Sequence, residues 1–237
     1  MMVSMLRLAV SIGVMLLTPL IATADSEKLV FPLASADGIR ANGVLLKEST
    51  FEGRRALELT MESDFAGGGS NTLALVSGID FGNGTIEFDV ASGVNADSWF
   101  FVKWIARGFA GLAFRVDPAL EHFESLYLRP TNGEAEDPER RAHAVQYFSY
   151  PDWDFQRFRT EAPGRYEAPA PIGPERWIHV RVEVDGATAR LFIDDHVEPV
   201  LIVSDLKLGA NARGGVGFFI DTGTHAFFSN LVVTPAN

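Results

Sequence analysis

The chain has 237 residues and a formal net charge of −11, from 20 Lys and Arg against 31 Asp and Glu. A surface this acidic repels phosphate backbones and anionic lipid headgroups, which excludes nucleic acid and direct membrane binding as leading readings; a strongly anionic polymer would need a local basic cleft to overcome the global field. There are no cysteines, so thiol catalysis, Cys-type zinc sites and disulfides are ruled out, and the core alone must hold the fold.

The chain opens with "MMVSMLRLAVSIGVMLLTPLIATADSE". Arg7 supplies a basic start, Leu8 to Ile21 an apolar run too short for a comfortable membrane span, and Ala22-Thr23-Ala24 a small-x-small cleavage pattern. The expectation is a signal peptide over 1–24 and one domain over 25–237, secreted or periplasmic, with no membrane insertion after cleavage; an uncleaved anchor is the alternative. The oligomeric state stays open.

Beyond that segment the recurring signal is a period of two bounded by Gly, Asp, Asn and Pro, which argues strands. "RRALELTME" sets Leu57, Leu59 and Met61 against Ala56, Glu58 and Thr60. "GTIEFDVAS" sets Ile86, Phe88 and Val90 against Glu87 and Asp89. "SWFFVKWI" is apolar on both faces (Trp99 and Phe101 against Phe100, Val102 and Trp104) and reads as a strand buried on two sides. "GLAFRV" places Arg115 on the face opposite Leu112, Phe114 and Val116. "FESLYLRP" places Leu126 and Leu128 on one face and Ser125, Tyr127 and Arg129 on the other.

The rhythm breaks after that. "TNGEAEDPERR", 131–141, is polar and reads as a loop. The segment 149–174, rich in proline and aromatics, cannot join a sheet ladder smoothly; it is expected to make a long ordered excursion over one face or rim, or to cover a sheet edge. "WIHVRVEVDG" and "ARLFIDD" form a hairpin around Asp185-Gly186. "GGVGFFID" and "HAFFSNLVVT" close the chain as two strands. The expected fold is all-β, a two-sheet antiparallel jelly-roll sandwich.

The closing third resembles the last strands of concanavalin A-like lectin/glucanase jelly rolls, with laminin-G-like and 3-keto-disaccharide hydrolase-type domains as the nearest branches. The matching features are Trp177 opening a strand, the Asp185-Gly186 turn, the Gly215-Val216-Gly217 run and Phe228-x-Asn230-Leu231, while "GTIEFDV" resembles an early strand. The resemblance implies a concave front sheet with a sugar in its groove or at its rim, and hence a carbohydrate ligand.

Three functions stay open: an exported carbohydrate-binding domain, a glycan-processing enzyme (glycoside hydrolase or lyase), and a structural or adhesion module. Glu87-x-Asp89 puts two carboxylates on one strand face, but the third acid of the glucanase pattern is missing, so the pair reads as solvated and catalytic residues stay unknown. No metal or cofactor is expected. Asp194-Asp195, Asp205 and Asp221 carry the oxygen chemistry calcium takes, without EF-hand spacing. The best cluster is Arg115, Tyr127, Arg129 and Gln146, with His143 and Trp153 at the rim: planar polar groups for hydroxyl pairs and aromatic plates for a sugar's C–H face. Parity sets His143 and Tyr147 on one face and Gln146 on the other, unless a bulge intervenes; the groove side is assigned to Gln146. The alternative is that Arg115 and Arg129 pair with Glu121, Glu124 or the acidic loop.

Overall fold

The computed structural model describes residues 27–63 and 71–236; the expected signal segment, 1–24, lies outside them. Fifteen strands follow the alternating runs in the sequence. They are β1 (Leu29–Phe31), β2 (Ile39–Asn42), β3 (Val44–Phe51), β4 (Arg54–Met61), β5 (Leu73–Phe81), β6 (Gly84–Val94), β7 (Ala110–Val116) and β8 (Phe123–Leu128). After these come β9 (Val145–Tyr150), β10 (Glu167–Ala168), β11 (Ile178–Asp185), β12 (Thr188–Ile193), β13 (Leu201–Val203), β14 (Gly214–Ile220) and β15 (Thr224–Pro235). Four short helices interrupt them: α1 (Phe100–Ile105), α2 (Pro130–Gly133), α3 (Pro138–Arg141) and α4 (Phe155–Glu161).

Every strand pair is antiparallel. One sheet runs β13-β12-β11-β6-β15-β4-β3, with β1 also on β15; the other runs β10-β9-β8-β7-β14-β5-β2. Leu57 and Leu59 of β4, Phe88 of β6 and Phe228 of β15 bury the inner face of the first sheet, and Leu126 and Phe218 that of the second. Phe218 stands 5.6 Å from Phe88 and 4.3 Å from Phe228, ring to ring, which ties the layers together. Sheet-on-sheet packing of alternating apolar faces is what buries enough surface to do without disulfides.

The second sheet is unusual because β7 and β8 are buried on both faces. Elements from the 100–174 region therefore cover its outer side, and that cover shapes the site.

Three expectations need correction. "SWFFVKWI" is not a buried strand. An Asx turn, with Asp97 N donating to Asn95 Oδ1, stops the chain beyond β6, and α1 begins at Phe100. Only Val102 of that helix is buried; Trp99, Phe100, Phe101 and Trp104 are 80, 88, 64 and 74% exposed. The polar stretch 131–141 is not a plain loop: it takes in most of α2, which begins at Pro130, and all of α3, which begins at Pro138, each opened by a proline at its first position, where the missing N–H costs nothing. The 149–174 segment does cross a face, but it also returns to the ladder, because Glu167 and Ala168 pair with Gln146 and Val145 at the sheet edge.

Candidate ligand-binding site

The site grows from one row of residues across the outer face of the second sheet. Cross-strand register aligns Phe219 of β14 with Gly111 of β7, Gly111 with Tyr127 of β8, Tyr127 with Gln146 of β9, and Gln146 with Glu167 of β10. Gly111 is the gap that makes the row work. A Cβ there would fall 2.7 Å from Tyr127 Cβ, whereas without it the Tyr127 and Phe219 rings meet edge to face at 5.5 Å.

Arg129, just past β8, reaches back along this row. Its guanidinium donates to Glu167 Oε1 (2.8 Å), the Tyr127 hydroxyl (2.6 Å), the His143 carbonyl (3.2 Å) and Gln146 Oε1. The Tyr127 hydroxyl in turn donates to Gln146 Oε1 at 2.9 Å. Glu167 also accepts two bonds from Arg159 of α4, 2.7 Å at Oε1 and 3.1 Å at Oε2, and His143 Nδ1 lies 2.9 Å from Oε2.

These contacts set the protonation states. Burial acts to raise the Glu167 pKa, but the bonds from Arg159 and the charge of Arg129 overcome it and hold the carboxyl below its ordinary value. Tyr127 is pushed up to about 12, first by burial and then by the negative charges of Asp221 and Glu167, against the opposing charge of Arg129. Glu167 is therefore an anion and Tyr127 a neutral hydroxyl at neutral pH.

Above this floor lies a cavity of about 440 Å³. Its apolar wall includes Ile105, Phe109, Phe148, Phe155 and Phe219, and its polar groups include Arg107, Arg129, Arg140, Arg159, His143 and Asn132. Two carboxylates, Asp154 and Asp221, share the lining. The α4 helix forms the lid. Asp154 caps it by accepting from Arg157 N at 2.8 Å, which sets Phe155 and Arg159 on the cavity side. The volume and the mix of aromatic and fixed polar groups are those of a small-molecule site.

Of the residues anticipated from sequence, Tyr127, Arg129 and His143 line the cavity. Gln146 shares the face of Tyr127 and Arg129, as parity requires, but is fully buried beneath it and acts as the acceptor that positions them, whereas His143, set by parity with Tyr147, precedes β9 and reaches the cavity instead. Tyr147 lies on the opposite, core-facing side, donating to Glu124. Trp153 stands outside the lining, stacked on Phe158 at 5.6 Å with the Arg157 guanidinium 3.6 Å over its ring.

Arg115 requires the largest correction. A register shift between Gly215 and Val216 of β14 falls opposite it, and its own φ of 54° breaks the strand's alternation. The guanidinium turns out of the row and donates to the carbonyls of Gly82 (2.9 Å), Gly186 (2.7 Å) and Gly209 (2.9 Å) and to Asn83 Oδ1 (3.2 Å). It joins loops of both sheets and takes no part in the cavity.

The other candidates are dispersed. Asp89 accepts from Arg54 (2.6 Å) and Asn230 (2.7 Å) and lies 2.9 Å from His179 Nδ1, so with Glu87 it belongs to an outward face of the first sheet. Asp194 accepts from His179 N, Asp205 pairs with Lys207 and Arg165, and Asp221 lines the cavity. Among the described residues no group of three or more His, Asp or Glu side chains is placed to hold a metal ion. None of their helices is long and apolar enough to cross a membrane.

The sequence reading missed Arg107, Phe109, Arg140, Phe155, Arg159, Glu167 and Phe219. Most sit on loops, short helices or an edge pair, where periodicity carries no orientation. Phe219 was within reach, since alternation in "GGVGFFID" sets it opposite Phe218.

No protein-family model matches the chain, and no curated protein matches it in sequence. Solved structures do match in fold. The carbohydrate-binding module CBM66 from Bacillus subtilis has a TM-score of 0.51 at 17% identity, covering 82% of this chain and 97% of its own. A Bacillus subtilis protein of unknown function with a galectin-like fold has a TM-score of 0.53 at 15% identity, covering 87% and 94%. A native glycosidic hydrolase has a TM-score of 0.51 at 12% identity, covering 91% and 99%. Such identities carry fold and no more. The two antiparallel sheets, their order and these likenesses show the fold to be an all-β jelly-roll sandwich of the kind these lectin-like and glycosidase-related structures share.

Proposed function

We propose that the chain is an exported carbohydrate-binding domain whose ligand enters the cavity between the outer face of the second sheet and α4. The observation that carries the reading is the pairing of aromatic walls with a pre-organised polar floor. Phe155 and Phe109, both only half-buried, offer apolar surface for a sugar's C–H face, and Arg159 and Asn132 offer planar donors over the fixed Arg129. The floor is held by Glu167 and Gln146 before any ligand arrives, which lowers the ordering cost of binding. The carbohydrate-binding module among the fold neighbours supports the same reading. Export to the periplasm or outside the cell, expected from residues 1–24, belongs to this proposal; N-terminal sequencing of the exported protein tests it.

A glycan array probed with the mature chain is the direct test, repeated with Phe155→Ala and Arg159→Gln. Binding by the wild type that falls at least about tenfold in both variants supports the site. No binding, or equal binding by all three proteins, refutes it.

A second reading, glycoside hydrolysis, draws on Asp154 and Asp221, because two carboxylates in one cavity are the minimum such chemistry needs. Product analysis with the bound glycan separates the readings. Turnover abolished in both Asp154→Asn and Asp221→Asn supports hydrolysis; intact glycan after prolonged incubation leaves binding alone.

A further inference from the structure

The four cavity arginines fall into two classes. Arg129 and Arg159 share one carboxylate, Glu167. Arg107 and Arg140 have none: neither forms an ion pair among the described residues. Arg107 Nη1 donates to the carbonyls of Ala106 (2.7 Å) and Trp104 (2.9 Å), and Arg140 Nη2 donates to Asn132 Oδ1 (3.2 Å) and the Thr131 carbonyl (3.5 Å). Those partners are neutral, so neither guanidinium has a carboxylate directly against it. Arg107 registers this directly. Its pKa is held below the guanidinium norm, first by burial and then by the positive charges of Arg140 and Arg129.

A protein with a net charge of −11 has thus concentrated unpaired cationic groups in one concave place. The two cavity carboxylates keep their charge, but neither forms an ion pair with Arg107 or Arg140. Asp154 caps α4, and Asp221 accepts from Thr222 N at 2.6 Å. Arg107 is half-buried and Arg140 exposed at the cavity rim, and an anion bridging them would replace their mutual repulsion with charge-assisted, bidentate hydrogen bonds.

We propose that the cavity selects a saccharide bearing a carboxylate, a uronic acid, with Arg107 and Arg140 receiving the acid and the aromatic wall receiving the ring. The assignment rests on the carbohydrate-binding reading above and narrows its ligand class. The acidic exterior further favours a short chain or one carrying isolated uronates, since a dense polyanion would meet the repulsive global field outside the cleft.

Calorimetric titration of the mature chain with trigalacturonic acid, with tri-β-(1→4)-glucuronic acid and with the methyl ester of each tests this. Glucose 6-sulfate and cellotriose serve as the sulfate and neutral arms. At least one free acid is expected to bind about tenfold or more tightly than its ester, and that ratio should collapse in the Arg107→Gln/Arg140→Gln double variant, with the loss falling mainly on the acid. The preference for the acid should also shrink as salt is raised. Equal binding of acid and ester overturns the uronate assignment and leaves the carbohydrate reading standing. Binding of glucose 6-sulfate with none of either acid overturns the carboxylate in favour of sulfate. Failure of every saccharide in this panel and on the glycan array removes both readings.

Discussion

Arg129 and Glu167 meet at 2.8 Å beneath the cavity, with side chains only 5% and 3% exposed. Removing the charge of Glu167 strands Arg129, so Glu167→Gln is expected to cost ~3–5 kcal/mol, the range for breaking a buried pair from one side. Urea denaturation at neutral pH measures this; a loss under about 1 kcal/mol, the surface-pair range, contradicts it. The folded carboxyl titrates below its ordinary 4.5, so its contribution is present above 4.5 and is lost as pH falls through the lower folded value. Wild-type stability should therefore fall through this acid window more steeply than that of Glu167→Gln.

Tyr127 joins the same network through its hydroxyl. Absorbance titration of the wild type minus Tyr127→Phe should place the missing ionisation near pH about 12, and an ionisation at 10.0 would show the ring to be solvated. The variant loses the bridge between Arg129 and Gln146, at a cost of ~1–3 kcal/mol.

On the far sheet, His179 sits 2.9 Å from Asp89, and that hydrogen bond raises its pKa above 6.5, against the lowering effect of burial. The sign is opposite to that of Glu167. The stabilisation is full below 6.5 and is lost as pH rises through the folded value. Because the imidazole is about half exposed, the effect on stability is small and NMR is the right probe. Asp89→Asn should return the His179 titration toward 6.5; an unchanged midpoint would show that Asp89 is not the cause.

Arg115 predicts a large effect far from the cavity. Arg115→Met leaves the carbonyls of Gly82, Gly186 and Gly209 without their donor, with an expected loss of ~1–3 kcal/mol for each that stays dry. Saccharide affinity per folded molecule should stay at the wild-type level. A selective loss of affinity with unchanged stability would place Arg115 back in the site.

The strands were legible because each buries one side. In β4 and β6, Leu57, Leu59, Phe88 and Val90 alternate with polar neighbours, and nothing competes with the period of two. The α1 segment was not, because six apolar residues in "SWFFVKWI" look like a core from any angle, and the Asx turn at Asn95 that ends β6 gives no hydrophobic signal. The site was half legible. Tyr127 and Gln146 followed from parity; Arg115 did not, because a single left-handed residue beside a bulge reverses a side chain without altering the pattern around it. Glu167 and Arg159 come from a segment whose prolines hide both the edge pair and the lid helix.

The central claim is that the space between α4 and the row from Phe219 to Glu167 is a saccharide site. A crystal structure of residues 25–237 with their best array glycan tests it most directly. The expected result is a sugar ring against Phe155 or Phe109 with a hydroxyl or carboxylate within hydrogen-bond distance of Arg159 or Arg107. A glycan seated elsewhere, with this cavity holding only solvent, would contradict it.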